Sequence, residues 1–464
     1  MIENGYTGEL LTIDLSSRIV TKLRTSVYTD RFLGGRGVGA KLYWDLTPPG
    51  TNSFDPKNCL VFITGPVTGF TGLSGCRWQI CGKSPHIGSG FFSYANVGGS
   101  WGAWLKYAGY DGLVVSGRAD RPVYLYLDDQ GKIEIRDAAH LWGKTNLEAQ
   151  ELLHAEVGKE ARIFSIGPAG ENQVYYATAM TSDYSLAGGG LVSEMGSKQL
   201  KAIVIKATEK RKPVAARPDE LKLLAKRAYD LKEKNWDPYP EFEANGHPTL
   251  CYGCIGGPGF CNRRTYMAES GKTFRNFCQA AVVYVDYALQ YSPTGAAQAY
   301  HLATQLCDNY GLDTMALAPL LAWLKLCYRE GILSESETGL PLSKIGSIEF
   351  ITTLVQKISY RQGFGDILAD GLIRTAQCVG KGSESLFGPC GLLTRDGEEA
   401  TIQINIYDAD GYDVSTGIPA MAITGDGSLP LVGKETPLEF SEKFLLGYKR
   451  PSHGYHVRWG YVCR

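Results

Sequence analysis

Three cysteines fall within eleven residues in Cys251-Tyr-Gly-Cys254-Ile-Gly-Gly-Pro-Gly-Phe-Cys261. A loop this rich in Gly and Pro can wrap around a metal, and thiolates hold both structural zinc and iron–sulfur clusters. Either centre needs a fourth ligand, and Cys278 is the nearest further thiol. The spacing alone leaves zinc and an iron–sulfur cluster open.

Other segments offer polar groups to a ligand. Asn96-Val-Gly98-Gly99-Ser100 follows an aromatic run and reads as a turn whose amides and carbonyls can face a bound molecule. Arg77, in Cys76-Arg77-Trp78, carries the forked guanidinium that pairs bidentately with phosphate. Gly35-Arg-Gly37-Val-Gly39-Ala40 looks like a dinucleotide-binding loop, but the preceding Thr29–Leu33 is no buried strand. A glycine turn on a β framework, or one packed against another flat cofactor, suits it better. Glu151-Leu-Leu-His154 has the carboxylate–imidazole spacing of di-iron bundles, yet only one copy exists, so a solvated helix face is the better reading. No Gly-x-Ser-x-Gly, Walker-type loop or His-Glu-x-x-His occurs, which argues against common hydrolase, nucleotidase and zinc-protease chemistry.

A large framework must position these groups. A length of 464 residues suffices for about three domains and a sizeable core. Apolar residues at 44% and charged residues at 20% exclude wholesale disorder, and a net charge of −1 gives no support for a nucleic-acid partner. Glycine is the outlier: 56 residues are about 12%, against a usual value near 7%. The N-terminus shows no signal pattern and no apolar run reaches about 18 residues. A cytoplasmic location with reduced thiols is therefore expected, and the 12 cysteines read as buried thiols plus metal ligands.

Residues 1–208 read as β-rich, with strands at Leu10–Leu15, Leu60–Thr64, Leu113–Ser116, Val123–Leu127 and Ala202–Ile205, and a helix at Asn146–Val157. Residues 209–220, charged and holding two prolines, read as a linker. In 221–464 the apolar period turns helical, over Leu221–Lys232, Gly295–Tyr310, Met315–Glu330 and Ile348–Tyr360. The expected fold class is α+β: a β-rich first domain, then a mainly helical region of one or two domains. No internal repeat is evident.

Taken together, the segments resemble the aldehyde ferredoxin oxidoreductase family of tungsten enzymes. The resemblance rests on Asn4-Gly5-Tyr6-Thr7-Gly8-Glu9-Leu10-Leu11, Gly34-Gly35-Arg36-Gly37, Gly65-Pro66-Val67-Thr68-Gly69 and Leu105-Lys106-Tyr107-Ala108-Gly109-Tyr110-Asp111. It continues through Leu141-Trp142-Gly143, Ile166-Gly167-Pro168-Ala169-Gly170-Glu171-Asn172 and Met195-Gly196-Ser197-Lys198 to Asp308-Asn309-Tyr310-Gly311-Leu312-Asp313. That last run matches the family's Asp-x-x-Gly-Leu-Asp pterin motif, and the resemblance fades beyond about residue 375.

The resemblance implies a β-rich base under a tungsten (or molybdenum) bis-pyranopterin, covered by helical domains. It implies a nearby [4Fe–4S] cluster held by Cys251, Cys254 and Cys261, which replaces zinc as the reading of that loop. It implies that Arg77 contacts a pterin phosphate and that Asn96 and Gly98 lie at the cofactor. Asn96 and a residue near Ser185 or Ala187 would offer carbonyls to a Mg²⁺ bridging the phosphates. Asp308, Leu312 and Asp313 would bind pterin from the helical side.

Several departures accompany it. The family usually has an arginine where Gly188 stands, and three residues, not six, between the second and third cluster cysteines. Its second motif, Asp-x-x-Gly-Leu-Cys, supplies the fourth thiolate and is not found here; Cys390 and Cys463 lack that setting. A C-terminal continuation relative to this chain is thus expected. Aldehyde-oxidising members place a Glu ahead of the pterin motif, whereas Thr273-Phe-Arg-Asn-Phe-Cys278 stands there. That is closer to the tungsten subunit of ATP-independent benzoyl-CoA reductase, which makes Cys278 a candidate tungsten ligand, in competition with a cluster role or a plain buried thiol.

The leading expectation is a low-potential oxidoreductase interconverting aldehyde and carboxylate, with ferredoxin or a dedicated iron–sulfur subunit carrying electrons. The alternatives are reduction of an aromatic acyl-CoA and a non-catalytic iron–sulfur or assembly subunit. A homodimer is compatible with the family, and nothing in the sequence specifies one.

Overall fold

The computed structural model describes residues 4–86, 92–209, 212–230, 246–255, 263–267, 273–276, 283–387, 394–395 and 398–399. Twelve strands up to Lys206 build two six-stranded mixed sheets. The first contains β1 (Glu9–Asp14), β2 (Ile19–Arg24), β3 (Leu60–Thr64), β4 (Trp78–Lys83), β5 (Phe92–Val97) and β6 (Gly112–Ser116), in the order 2-1-6-3-4-5. The second contains β7 (Val123–Asp128), β8 (Ile133–Asp137), β9 (Arg162–Ile166), β10 (Ala179–Thr181), β11 (Leu186–Ala187) and β12 (Leu200–Lys206), in the order 11-10-9-12-7-8. Read from the other end, this is the same order.

The pairing repeats as well. Only β1 with β6 and β7 with β12 run parallel; every other neighbour pair within the two sheets is antiparallel. The sequence reading found no internal repeat, and the structure corrects it at the level of topology. Strand pairing constrains only which face each side chain takes, so two sheets can share a topology with no residue-level similarity. Phe62 and Phe164 hold the same third position in β3 and β9 and meet edge to face at 6.0 Å. Trp78 and Trp101 complete this aromatic centre, with rings 4.3 Å apart.

The runs expected as strands all occur as strands. Leu60–Thr64 is apolar throughout because β3 lies inside its sheet and every residue is buried. Ile19–Arg24 was not expected: as an edge strand it is largely solvated and its apolar signal is weak. Gly35–Gly39 differs from its reading as a turn. Ser26–Phe32 and Gly35–Leu46 are both helices. A Cβ on Gly39 would stand 2.7 Å from the Cys81 sulfur and 3.0 Å from Ile63, so this glycine lets the second helix press onto β3 and β4.

Much of the shared sequence in this half is scaffold. Lys106 is wholly buried, donates to the carbonyls of Gly5, Gly65 and Pro66, and lies 3.8 Å from Asp111. Asp111 accepts from the amides of Thr7 and Gly8 and the hydroxyl of Thr25. Burial lowers the Lys106 pKa to about 8 against the pull of Asp111. Glu171 pairs with buried Lys201 and accepts from the Gly143 amide at 2.8 Å.

Beyond Pro218 the described residues are mainly helical, with a small sheet of Gly246–Thr249, Arg263–Met267 and Thr273–Asn276. The helix Ile348–Ser359 buries Phe350, Ile351, Leu354, Val355 and Ile358 on one face, with Ser347 capping the amide of Phe350. The helices Ala296–Tyr310 and Thr314–Arg329 join through Gly311–Asp313. Gly311 takes the left-handed conformation, φ 82°, that ends the first helix. Leu312 then bridges antiparallel to Ala177, Thr178 donates to the Gly311 carbonyl at 2.8 Å, and Asp313 donates to Tyr176 at 3.0 Å.

This junction leaves no room for a side chain at Gly167, where a Cβ would lie 2.6 Å from the carbonyls of both Asn309 and Tyr310. Gly167→Ala is expected to lower stability by about 1–3 kcal/mol, the usual cost of forcing extra volume into a packed contact. Urea unfolding followed by circular dichroism checks this, and an unchanged midpoint would contradict it.

Candidate cofactor site

The edge strands β5 and β11 occupy equivalent positions in the two sheets and pack against each other. Their seam gathers the polar groups of the β-rich side. Arg77, just before β4, donates from Nη1 to the Asn96 carbonyl at 3.3 Å. Asn96 lies within β5 rather than in a turn, and its side-chain oxygen accepts from Gln79 at 3.0 Å. Its neighbour Gly98 is a point of convergence. A Cβ there would be 2.9 Å from the Cys251 sulfur, 3.4 Å from the Ser185 hydroxyl and 3.5 Å from Arg77 Nη1. The Gly98 carbonyl accepts from the Trp78 indole at 3.1 Å, which aims the chain at this seam.

Ser185 closes the hairpin between β10 and β11. Its amide donates to the Thr181 hydroxyl and its carbonyl accepts from the Thr181 amide at 2.8 Å. Ala187 is fully buried in β11, paired with Ala179.

Thiols stand on the same side. Cys251 and Cys76 are buried together, with Leu186 and Cys254 packed on them. Hydrogen bonds shared with Cys251 and Cys254, and then burial, push the Cys76 thiol above its ordinary range. Tyr252 between the two loop cysteines is anchored: Tyr107 donates to its hydroxyl at 3.0 Å and Trp104 meets its ring edge-on at 5.2 Å. Cys261 and Cys278 lie outside the described residues. Among the described residues, no group of three or more His, Cys, Asp or Glu side chains has the geometry of a metal-ion site.

On the helical side, Asp308 and Asp313 carry carboxylates, and Asp313 reaches Gly188 and Gly189 beside β11. Asp308, in the last turn of Ala296–Tyr310, is 3% exposed, and among the described residues neither of its carboxylate oxygens has a hydrogen-bond partner. Burial holds its carboxyl well above the usual carboxylate range. Its backbone is fixed by Asn146, whose amide nitrogen donates to the Asp308 carbonyl at 2.9 Å. Asp313 caps the next helix by accepting from Met315 at 2.9 Å, while its second oxygen accepts from the Gly189 amide at 2.9 Å. Leu312 is buried, and its backbone makes the bridge to Ala177.

Gly188 now has a reason to lack a side chain. A Cβ there would lie 2.6 Å from the Asp313 carboxylate. The space that an arginine would need is taken by the acid that holds β11 to the helices.

Two features escaped the sequence reading. Cys76 lies far from the cysteine loop in the chain, so no spacing pattern links them. His301 and Thr304 share the helix face of Asp308 and are buried. Burial lowers the His301 pKa to about 4, so it is neutral at pH 7. Polar residues at buried positions of an otherwise apolar helical period are the signal that would have found them. Glu151, by contrast, is on a solvated face, as expected.

The Arg77 guanidinium, the Ser185 hydroxyl and the Cys251 thiol thus approach one glycine that has no side chain. The aldehyde ferredoxin oxidoreductase N-terminal domain matches residues 10–207, and domains 2 and 3 of the same family match residues 226–424. The tungsten-containing aldehyde ferredoxin oxidoreductase of Pyrococcus horikoshii is 32% identical over 422 residues, 80% of this chain and 67% of the relative. The WOR-like subunit of the aliphatic sulfonate oxidoreductase of Pyrococcus furiosus is 28% identical over 428 residues, 80% of this chain and 67% of the relative. A chain of the benzoyl-coenzyme A reductase active-site complex, solved with 1,5-dienoyl-CoA, superposes with a TM-score of 0.76 at 27% identity, covering 98% of this chain and 76% of that one. The chain belongs to the aldehyde ferredoxin oxidoreductase family, a family of oxidoreductase enzymes.

The state of Asp308 makes a pH-dependent prediction for cofactor-free protein. Its folded pKa is raised, so its favourable contribution is fully present below the unfolded carboxyl pKa, about 4, and is lost as pH rises toward the folded value. Asp308→Asn removes that loss. The variant is expected to exceed the parent in urea midpoint at pH 7, with the difference vanishing toward pH 4. An equal difference at both pH values would contradict the assignment.

Proposed function

We propose that this chain is a tungsten bis-pyranopterin, [4Fe–4S] oxidoreductase that interconverts an aldehyde and its carboxylate at low potential. The observation that carries the reading is Asp308: a buried carboxylate with no hydrogen-bond partner among the described residues is costly unless a bound group supplies one. Pterin rings carry such N–H donors.

When bound, the metal–pterin centre supplies two-electron redox chemistry and the cluster relays single electrons to an external carrier. The chain's own residues bind and orient. Asp308 accepts from a pterin edge, and Asp313 and Leu312 keep the helical wall against β11. Arg77 would pair with a pterin phosphate, and the backbone carbonyls of Asn96 and Ser185 would offer oxygen ligands of the kind a hard Mg²⁺ takes. Gly98 and Ala187 keep the seam narrow and open. Cys251, Cys254 and Cys261 hold the cluster close to Arg77. Ferredoxin or a dedicated iron–sulfur subunit is the expected electron partner, and the cytoplasm the expected compartment. The linker at 209–220 separates the β-rich base from the helical cover.

A second reading is the reduction of an aromatic acyl-CoA. Cys278 in place of the family's Glu favours it, as does the superposition over 98% of the chain on the benzoyl-coenzyme A reductase subunit. In that reading Cys278 is a tungsten ligand.

The test is anaerobic purification from tungstate-supplemented cells, followed by metal analysis and viologen-linked assays with aldehydes and with benzoyl-CoA. Tungsten and iron, with viologen reduction by aldehydes, is the expected result. Activity with benzoyl-CoA alone would establish the second reading. Zinc without tungsten, molybdenum or iron would defeat both. Arg77→Ala is expected to retain roughly a tenth or less of the parent's tungsten after gel filtration, since charge-assisted bonds contribute about 1.5–3 kcal/mol.

A further inference from the structure

We propose that the cavity between the β1–β2 turn and the β6–β7 connection binds a compact phosphate-bearing anion. This site is separate from the oxidoreductase reading and does not depend on it. The cavity measures about 620 Å³ and is lined by Arg18, Arg118 and Arg121, with Ser16, Asp120 and the buried Ala119. It lies at the opposite pole of the first sheet from the cofactor seam. Trp78, beside Arg77, pairs with Thr64 at one end of β3. β3 runs antiparallel to β6 with Ile63 opposite Gly112 and Leu60 opposite Val115, so Arg118 follows the far end of β6.

The two turns are stitched together. Ser16 Oγ accepts from the Arg118 amide at 2.8 Å and donates to the Arg118 carbonyl at 3.2 Å. Gly117, at φ 75°, permits this approach, since a Cβ would meet the Asp14 carboxylate and stand 2.7 Å from the Ser16 amide. Arg18 takes a left-handed φ of 59°, where Gly or Asn would sit with less strain.

The guanidiniums keep their charge. Arg18 donates to the Ile135 carbonyl at 2.7 Å and Arg118 to the Phe54 carbonyl at 3.3 Å. Such acceptors orient a guanidinium without neutralising it. Arg121 pairs with Asp137 at 3.3 Å, but both side chains are exposed and solvent screens the pair. Asp14 accepts from the amides of Ser16 and Ser17, so Asp120 is the carboxylate among the lining residues. Lys198 backs the same wall: it is fully buried, donates to the carbonyls of Pro56 at 3.1 Å and Gly117 at 3.4 Å, and its own carbonyl accepts from the Ala119 amide. Burial lowers the Lys198 pKa, Glu194 opposes this, and Arg118 adds to the lowering. An anion in the cavity offsets charge that the protein's own acceptors leave in place. Forked guanidiniums match phosphate oxygens. Among the lining residues no aromatic ring is present to stack a base, so the ligand class is a small phosphate or diphosphate and not a nucleotide.

The test is calorimetric titration of the as-purified protein with sodium pyrophosphate. The parent is expected to bind about one equivalent with a dissociation constant below about 1 mM. The double variant Arg18→Gln, Arg118→Gln is expected to bind at least about tenfold more weakly, and the exposed Arg31→Gln to bind as the parent does. Asp120→Asn, which removes the carboxylate from the lining, is expected to bind about twofold tighter or more. A parent that takes up no pyrophosphate, a folded double variant that binds as tightly as the parent, or an Asp120→Asn variant that binds no tighter would overturn the proposal. AMP binding more tightly than pyrophosphate would overturn the ligand class.

Discussion

The site depends on one short backbone contact. Gly311–Asp313 closes antiparallel onto Tyr176–Thr178, and this pairing joins the helical region to the second sheet. Three sequence requirements converge there. Gly311 must be left-handed, Gly167 must lack a side chain, and Asp313 must both cap a helix and accept from Gly189. Once they are met, Asp308 is carried into a buried position where none of the described residues donates to its carboxylate. The two acids of the motif therefore have different surroundings: Asp313 caps a helix and accepts from Gly189, while Asp308 has no hydrogen-bond partner among the described residues.

The opposite wall comes from repetition. Two sheets of the same strand order meet through Phe62 and Phe164, and the equivalent edge strands β5 and β11 lie side by side. Two edge strands thus lie along one seam, with Asn96 in β5 and Ser185 just before β11. Gly98 keeps the seam open where Arg77, Ser185 and Cys251 approach.

How much of this was legible in the sequence follows from what each feature depends on. Interior strands such as β3 and amphipathic helices such as Ile348–Ser359 announce themselves, because burial fixes residue type at a regular period. Edge strand β2 does not, since solvent accepts its polar residues. Gly35–Gly39 misled because glycines that permit close helix–sheet packing look the same as glycines that form a turn. The Asp308–Asp313 motif was legible through its resemblance, but the division of labour between its two acids was not. That division is set by Gly189 and Tyr176, which pair with it only after folding. Cys76 was invisible for the same reason. The repeat of the two sheets left no trace at all, being a property of pairing order and not of side chains.

The most direct measurement is anomalous diffraction at the tungsten absorption edge from anaerobically grown crystals. The account predicts a single strong peak between the Gly98–Ser185 seam and Asp308, with pterin density reaching the Asp308 carboxylate. A peak elsewhere, or an ordered chain in which Asp308 stays without a donor and no heavy metal is found in the seam, would contradict it.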